Sequence, residues 1–280
     1  MPAEDPDQLR EHLVTTLQRN HALRDKAIAN ALRTVPRHTF APWLSIHQAY
    51  ADEAFPVPTA RGDKLSSISQ PSTVALMLEA LDLEPGHHVL EIGTGTGYNA
   101  ALLASIVGGK GHVTTIDVEA ELTQQAEERL QQHHIANAHV ICRDGALGCP
   151  EHAPFDRVIA TVGVQEVPWA WADQLTDRGI ILGPVHLGGE PQDHVLLKLR
   201  EEDGHLVGEG IDTLAIIALR RDDTETGSFS SGRQGPAWHG APVDALRVRI
   251  YPTSEHHEPG PLQKILDRAH STIVLEQRQG

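Results

Sequence analysis

Apolar and polar positions follow two rhythms along this chain, one with the period of a helix and one with the short runs of buried strands. Residues 7–35 carry helical spacing in two runs, DQLREHLVTTLQ and ALRDKAIANALRTV, the second closed by Pro36. Residues 41–68 hold Pro42, Pro56, Pro58 and Gly62 with little periodicity, which predicts a loop-rich segment packed over something rather than a linker. Pro71 stands where a helix would begin. Val74, Leu76, Met77, Leu78 and Leu81 give that helix its apolar positions, and Pro85-Gly86 ends it.

From Val89 to about Pro184 the two rhythms alternate. Strands are expected at 89–92, 112–117, 138–143, 156–161 and 179–183, with helices at 98–107, 119–134 and, shorter, 168–175. This alternation predicts an α/β fold, a doubly wound and mostly parallel sheet whose ligands bind outside the carboxyl ends of the strands. After Gly188-Gly189-Glu190, the runs HVLLKLRE and IDTLAIIALR flank Glu202-Asp203-Gly204 and predict an antiparallel edge. Asp222 to His239 is polar and rich in Gly, Ser and Thr, as a mobile connection would be. A strand at LRVRIYP, a helix at PLQKILDRAH and a last strand at STIVLEQR complete the chain. The expected organisation is N-terminal helices and a loop over 1–70, the α/β domain over 71–221, and a connection with a small appendage over 222–280.

The chemistry concentrates where the first of these strands meets its helix, in VLEIGTGTGYNAALLA. Gly93, Gly95 and Gly97 lack a Cβ, so the backbone there can turn tightly and approach a ligand closely. A strand, a glycine loop and a helix N-terminus in that order suit a nucleotide-like ligand. Gly95-Thr96-Gly97-Tyr98-Asn99-Ala100 satisfies the dinucleotide pattern, so NAD is one reading. Glu91 changes the balance. It gives E-x-G-x-G-x-G, the pattern of S-adenosylmethionine (SAM)-dependent methyltransferases, where a carboxylate complements the positive charges of the ligand. Asp117 ends the second strand, 20 residues past Gly97, placed to hold ribose hydroxyls in either class. Asp144-Gly145 ends the third and would flank an adenine edge. SAM is therefore the expected cofactor, bound by Glu91, Gly93, Thr94, Gly95, Gly97, Asp117, Asp144 and Gly145. An NAD-dependent oxidoreductase would also need an acid/base pair for hydride transfer, and no convincing Tyr-Lys or His-Asp arrangement follows the loop.

Composition narrows the partners. Lys and Arg total 23 against 38 Asp and Glu, a formal charge of −15, which argues against nucleic acid because phosphate binding needs a basic face. MPAEDPDQLREHL has neither a basic n-region nor an apolar h-region, so no signal peptide is expected. No run approaches the eighteen or so apolar residues of a membrane span. Cys142 and Cys149 are too few for a disulfide framework and read as free thiols of a cytoplasmic protein. The 18 histidines occur singly or as adjacent pairs without ligand spacing, so no metal is expected.

One further segment is more distinctive than the glycine loop. Ser66-Ser67-Ile68-Ser69-Gln70-Pro71 resembles the S-x-S-Q-P segment of protein-L-isoaspartate O-methyltransferases, at the family's distance before the glycines. The resemblance continues through Ala153-Pro154-Phe155-Asp156, the turn after Thr161, Val167-Pro168 and Gln174-Leu175, and spans roughly residues 20 to 185. It implies a Rossmann-like class I methyltransferase fold and a peptide or protein substrate bearing an Asp or isoAsp carboxylate. It further implies Ser69 at the active site, with substrate contacts from Ser67, Gln70, Val162 and Gly163. Taken by itself, Ser69 could equally be a helix N-cap.

Departures from the repair pattern matter as well. The lead-in is Arg61-Gly62-Asp63-Lys64-Leu65, and DTLAIIALR stands where repair enzymes carry F-V-P-L. SSISQP and ATVGVQEVPWAWADQL resemble a branch associated with ribosomal peptide maturation, whose members esterify an aspartate that then closes to an aspartimide. Arg61 and Lys64 either steer an anionic substrate or are solvated loop charges. A SAM-binding module without catalysis is the remaining alternative.

Overall fold

A computed structural model describes residues 5–59, 66–187, 193–217, 219, 246–252 and 271–277. The chain forms two compact units, residues 1–143 and 144–280. Arg61, Lys64, the connection after Asp222 and the expected helix at 261–270 lie outside the described residues.

The first unit opens with α1 (Pro6–Arg19), capped by Asp5, and α2 (Lys26–Thr34). The second helix starts later than apolar spacing suggests, because the Asp25 side chain accepts the Ile28 N–H and fixes the N-cap there. Glu79 adds a second constraint by accepting the Arg24 and Asp25 amides. Leu13, Val14 and Leu17 of α1 and Ile28, Ala29, Ala31 and Leu32 of α2 are buried. Two single-turn helices follow, α3 (Arg37–Phe40) and α4 (Ile46–Ala49), then a two-residue antiparallel pair, β1 (Phe55–Pro56) with β2 (Ser67–Ile68).

Helix α5 (Pro71–Ala80) starts at its proline, as expected. Beyond it the unit alternates strictly: β3 (His88–Ile92), α6 (Tyr98–Val107), β4 (His112–Asp117), α7 (Ala120–Gln132) and β5 (Ala138–Cys142). The three strands pair in parallel, with Val89 opposite Val113, Ile92 opposite Ile116 and Asp117 opposite Cys142. Val89, Leu90, Leu102, Leu103, Val113 and Ile116 are all fully buried. Each such side chain contributes about 1.5–3 kcal/mol relative to exposure.

In the second unit β6 (Phe155–Ala160) pairs in parallel with β7 (Leu175–Val185) after a single helical turn, α8 (Trp169–Ala172). Strand β7 begins four residues before the expected 179, and a register shift between Phe155 and Arg157 absorbs the extra length. From β7 the sheet turns antiparallel through β8 (Asp193–Glu202) and β9 (His205–Ala215). Asp203 and Gly204, both at positive φ, make the expected turn. β10 (Leu246–Pro252) and β11 (Ser271–Gln277) then extend it. Both cysteines are free, Cys142 exposed and Cys149 buried. Among the described residues, no helix is long and apolar enough to cross a membrane, and no group of three or more His, Cys, Asp or Glu could hold a metal ion.

Candidate active site

The glycine loop between β3 and α6 needs its glycines. Gly93, Gly95 and Gly97 all adopt positive φ, at 100°, 51° and 82°. Gly97 is the N-cap of α6, and a Cβ there would stand 3.1 Å from the Ala126 Cβ on α7. A Cβ on Gly95 would stand 3.3 Å from Ser66 Oγ, so backbone without side chains forms the cradle. The amides of Gly93 and Thr94 donate to the Ile116 carbonyl at 2.8 and 3.1 Å, fastening the loop to β4. Thr96 Oγ1 accepts the Tyr98 amide, and Arg129 donates to the Thr96 carbonyl from α7. A helix N-terminus opening from such a loop places partial positive charge where a polar ligand would lie.

Asp117, half-buried at the carboxyl end of β4, reaches this loop. Its Oδ2 accepts the Gly95 amide at 3.0 Å and its Oδ1 the Glu119 amide at 3.1 Å. Glu91 behaves differently from the expectation of a ligand-facing carboxylate. It is fully buried behind the loop, with Oε1 accepting from Asn99 Nδ2 at 2.7 Å and Oε2 from the Thr115 hydroxyl at 2.6 Å. With Glu91 ionised, Thr115 spends its hydrogen on the carboxylate, and the 2.8 Å contact between Thr94 Oγ1 and Thr115 Oγ1 then has Thr94 as donor. A chain Thr94–Thr115–Glu91–Asn99 thus supports the loop from beneath. Burial pushes the Glu91 carboxyl up to about 7, against the lowering effect of its two hydrogen-bond donors. Thr94, 3% exposed, belongs to this support.

The S-x-S-Q-P segment lies in the same unit. Ser67 and Ile68 pair with Pro56 and Phe55, and Ile68 is buried, which anchors the segment. Helix α5 takes Gln70 as N-cap, with Pro71 at its first turn and no side-chain cap. Ser69 is therefore not the cap that local sequence also allowed. Its carbonyl accepts from Arg37 Nη2 at 2.8 Å, while its half-buried hydroxyl has no partner among the described residues. Three residues on, the Ser72 amide donates to Asp52 Oδ1 at 2.8 Å. Arg37 and Asp52 escaped sequence reasoning, since neither belongs to a motif or a periodic run.

In the second unit Asp144 caps a short turn by accepting the Ala146 amide at 2.9 Å, and the Gly145 carbonyl accepts Trp171 Nε1 at 2.8 Å. Gln174 secures the same turn, accepting from the Cys149 amide and donating to the Leu147 carbonyl. Val162 and Gly163 follow β6. The Gly163 amide donates to the Ile217 carbonyl, and its own carbonyl accepts from the Leu219 amide at 2.6 Å. The DTLAIIALR segment is thus a backbone neighbour of the predicted substrate turn. A Cβ on Gly163 would meet the imidazole of the buried His194, which would have to shift to admit a side chain there.

Fold and loop are those of the class I SAM-dependent methyltransferases. A family model described as protein-L-isoaspartate(D-aspartate) O-methyltransferase (PCMT) matches residues 8–222, and the chain belongs to that family. The match starts earlier and ends later than the resemblance seen in the sequence, and it takes in DTLAIIALR. Protein-L-isoaspartate O-methyltransferase of Methanococcus vannielii is 41% identical over 207 residues, which are 74% of this chain and 95% of the relative. That of Ignicoccus hospitalis is 38% identical over 202 residues, 72% and 92% of the two chains. A solved protein-L-isoaspartate O-methyltransferase superposes with a TM-score of 0.69 at 33% identity over 75% of this chain, which spans 65% of that structure's length. A Plasmodium falciparum structure in complex with S-adenosyl-L-homocysteine shares the fold, with a TM-score of 0.64 at 19% identity over 76% of this chain and 99% of its own. The oxidoreductase reading falls with family membership. The chain is a SAM-dependent carboxyl O-methyltransferase.

Proposed function

We propose that the enzyme esterifies an isoaspartyl or aspartyl side chain of a protein or peptide, and that its preferred substrate is a dedicated peptide. The observation that carries the site assignment is that Ser66 Oγ stands 3.3 Å from where a Cβ on Gly95 would lie, with Ser69 three residues further on. The cofactor fits the loop. Three glycines at positive φ shape the loop, a Cβ on Gly95 would meet Ser66, a strand-end carboxylate stands at the loop, and a helix N-terminus opens from it. Residues from Gly93 to Gly97 and Asp117 would hold the cofactor. Asp144 and Gly145 are the proposed adenine-side pair on their motif alone.

SAM supplies, when bound, an electrophilic methyl group on a cationic sulfur that leaves readily. The protein's task is then alignment and dryness. A substrate carboxylate is ionised at neutral pH and needs no strong base to attack. The Ser69 hydroxyl donates to the oxygen that does not attack, which fixes the angle of the one that does. Ser67 and Gln70 are the proposed peptide contacts beside Ser69, and Val162 and Gly163 are proposed as substrate contacts on the family resemblance alone. The methyl ester is a better leaving group than the carboxylate, so the next backbone nitrogen closes a succinimide with loss of methanol.

Support for a dedicated peptide comes from the region beyond the family match. The family model ends at residue 222, yet β10 and β11 add two strands to β9. The SSISQP and ATVGVQEVPWAWADQL segments resemble the maturation branch. Methyl transfer to an isoaspartyl peptide and to its aspartyl twin tests this. Turnover of the aspartyl peptide is expected, and strong turnover of the isoaspartyl form alone overturns the dedicated role while leaving carboxyl methylation intact.

A further inference from the structure

Arg37 opens α3 and is fully buried, yet it forms no ion pair among the described residues. Its Nη2 donates to the Ser69 carbonyl at 2.8 Å, and its guanidinium carbon lies 5.1 Å from the centroid of the Tyr98 ring. Among the described residues, Nε and Nη1 have no hydrogen-bond partner. Burying a cation on these terms opposes folding, and a hydrophobic residue of similar volume would normally serve stability better. Desolvation lowers the Arg37 pKa, opposed by the nearby Tyr98, Asp52 and Tyr50.

What the cation reaches explains the placement. Tyr98 is the first residue of α6, immediately after Gly97 of the cofactor loop. Ser69 carries the hydroxyl assigned to the substrate carboxylate. Arg37 therefore ties the peptide of the acceptor-side serine to the first residue past the donor-side loop. Asp52, by accepting the Ser72 amide, fixes the same segment from its other end. The Ser69 backbone is held, and its side chain has no partner among the described residues.

We propose that Arg37 is a positioning residue for methyl transfer, acting through Ser69: it sets the distance between the acceptor serine and the cofactor loop. This rests on the reading of Ser69 given above. A planar guanidinium can stack on Tyr98 and direct one N–H at the Ser69 carbonyl, whereas an ammonium can donate but does not stack in the same way.

The test is a double-mutant cycle with Ser69→Ala, measured as methyl transfer to a carboxylate peptide, with S-adenosylhomocysteine affinity and thermal unfolding followed in parallel. Arg37→Met is expected to lower kcat by about tenfold to hundredfold, the scale of an ångström-level misplacement. KM and S-adenosylhomocysteine affinity are expected to stay within about threefold, since the loop keeps its own bonds to β4. Arg37→Lys is expected to recover part of the rate. In the Ser69→Ala background Arg37→Met is expected to cost little more, because its effect is already lost. Independent, multiplying losses in the two variants overturn the proposal, as does an unchanged kcat in Arg37→Met. If Arg37→Met does not fold, the cycle is run with Arg37→Lys and read by the same criteria. Wild-type enzyme that methylates no carboxylate peptide overturns the Ser69 reading together with this one. Additive losses on active wild type overturn the positioning role alone.

Discussion

The Gly95 amide donates to Asp117 Oδ2 at 3.0 Å, so the middle glycine of the loop and the acid at the end of β4 are held as one piece. A hydrogen bond to a charged group contributes about 1.5–3 kcal/mol. Asp117→Ala frees the Gly95 amide and removes the strand-end carboxylate. Affinity for S-adenosylhomocysteine, measured by calorimetry, is expected to fall about tenfold to hundredfold, with Asp117→Asn in between. Unchanged affinity in the alanine variant would remove Asp117 from the cofactor site.

Glu91 gives the loop a pH dependence. Its folded-state pKa, pushed up to about 7, lies above the ordinary carboxyl value of 4.5. The folded protein therefore holds this proton more tightly than the unfolded chain. Stabilisation from this group is complete below pH 4.5, declines as pH rises toward 7 and changes no further above it. The span corresponds to about 3 kcal/mol. Glu91→Gln copies the protonated acid: its oxygen accepts from Asn99, its amide donates to Thr115, and Thr115 turns its hydrogen to Thr94. Denaturant unfolding between pH 5 and 8 is expected to show the variant gaining on wild type as pH rises. Parallel curves for the two proteins would refute this account.

Gly97 is closed to substitution for two separable reasons. Its φ of 82° is strained for any residue with a Cβ, and that Cβ would press on Ala126 at 3.1 Å. Backbone strain alone costs about 1–2 kcal/mol. Gly97→Ala is expected to lower the melting temperature and to weaken S-adenosylhomocysteine binding, because α6 and α7 must separate to admit the methyl. Pairing it with Ala126→Gly removes the nearest contact but leaves the Ala126 Cα at 3.3 Å and the strain, so only part of the loss should return. Complete recovery in the double variant would show that strain contributes nothing.

The loop was legible in the sequence because its constraint is local. Backbone at positive φ next to a buried strand admits glycine, and three alternating glycines record that need directly. Glu91 was legible as a residue but not in its role. Its spacing puts it on β3, but only the fold shows that Asn99 and Thr115 take both its oxygens. Arg37 left no trace. A single arginine between Pro36 and His38 reads as a surface charge, since no periodicity marks a one-turn helix as buried. DTLAIIALR was also opaque, because it meets Gly163 through backbone groups that any side chains would present. The late start of α2 turned on one aspartate cap, a signal weaker than the apolar spacing that ran past it.

Gln174 is 6% exposed and uses both ends of its amide, accepting from the Cys149 amide at 2.6 Å and donating to the Leu147 carbonyl at 3.0 Å. Gln174→Ala removes one buried and one part-buried hydrogen bond of the turn, at about 1–3 kcal/mol for a group that water cannot reach. Gln174→Glu keeps the acceptor but sets a carboxylate oxygen against the Leu147 carbonyl, so it is expected to fall at least as far as alanine above the carboxyl pKa. Urea unfolding checks the order; an alanine variant as stable as wild type would mean that water replaces both contacts.

Ser69 separates the two jobs of its segment. Its carbonyl belongs to Arg37, a contact that any side chain at this position preserves, while its hydroxyl has no structural partner among the described residues. Ser69→Ala should therefore leave folding and S-adenosylhomocysteine affinity close to wild type, since helix α5 does not rely on this serine as its cap. Loss of one oriented donor at a reacting carboxylate is expected to lower kcat about a hundredfold, with a smaller change in KM. Ser69→Thr keeps the hydroxyl but adds a methyl that restricts its rotation, so partial activity is expected if orientation is what the donor supplies. An alanine variant with full kcat and a raised KM would instead make Ser69 a binding group, leaving alignment to the loop and the peptide backbone.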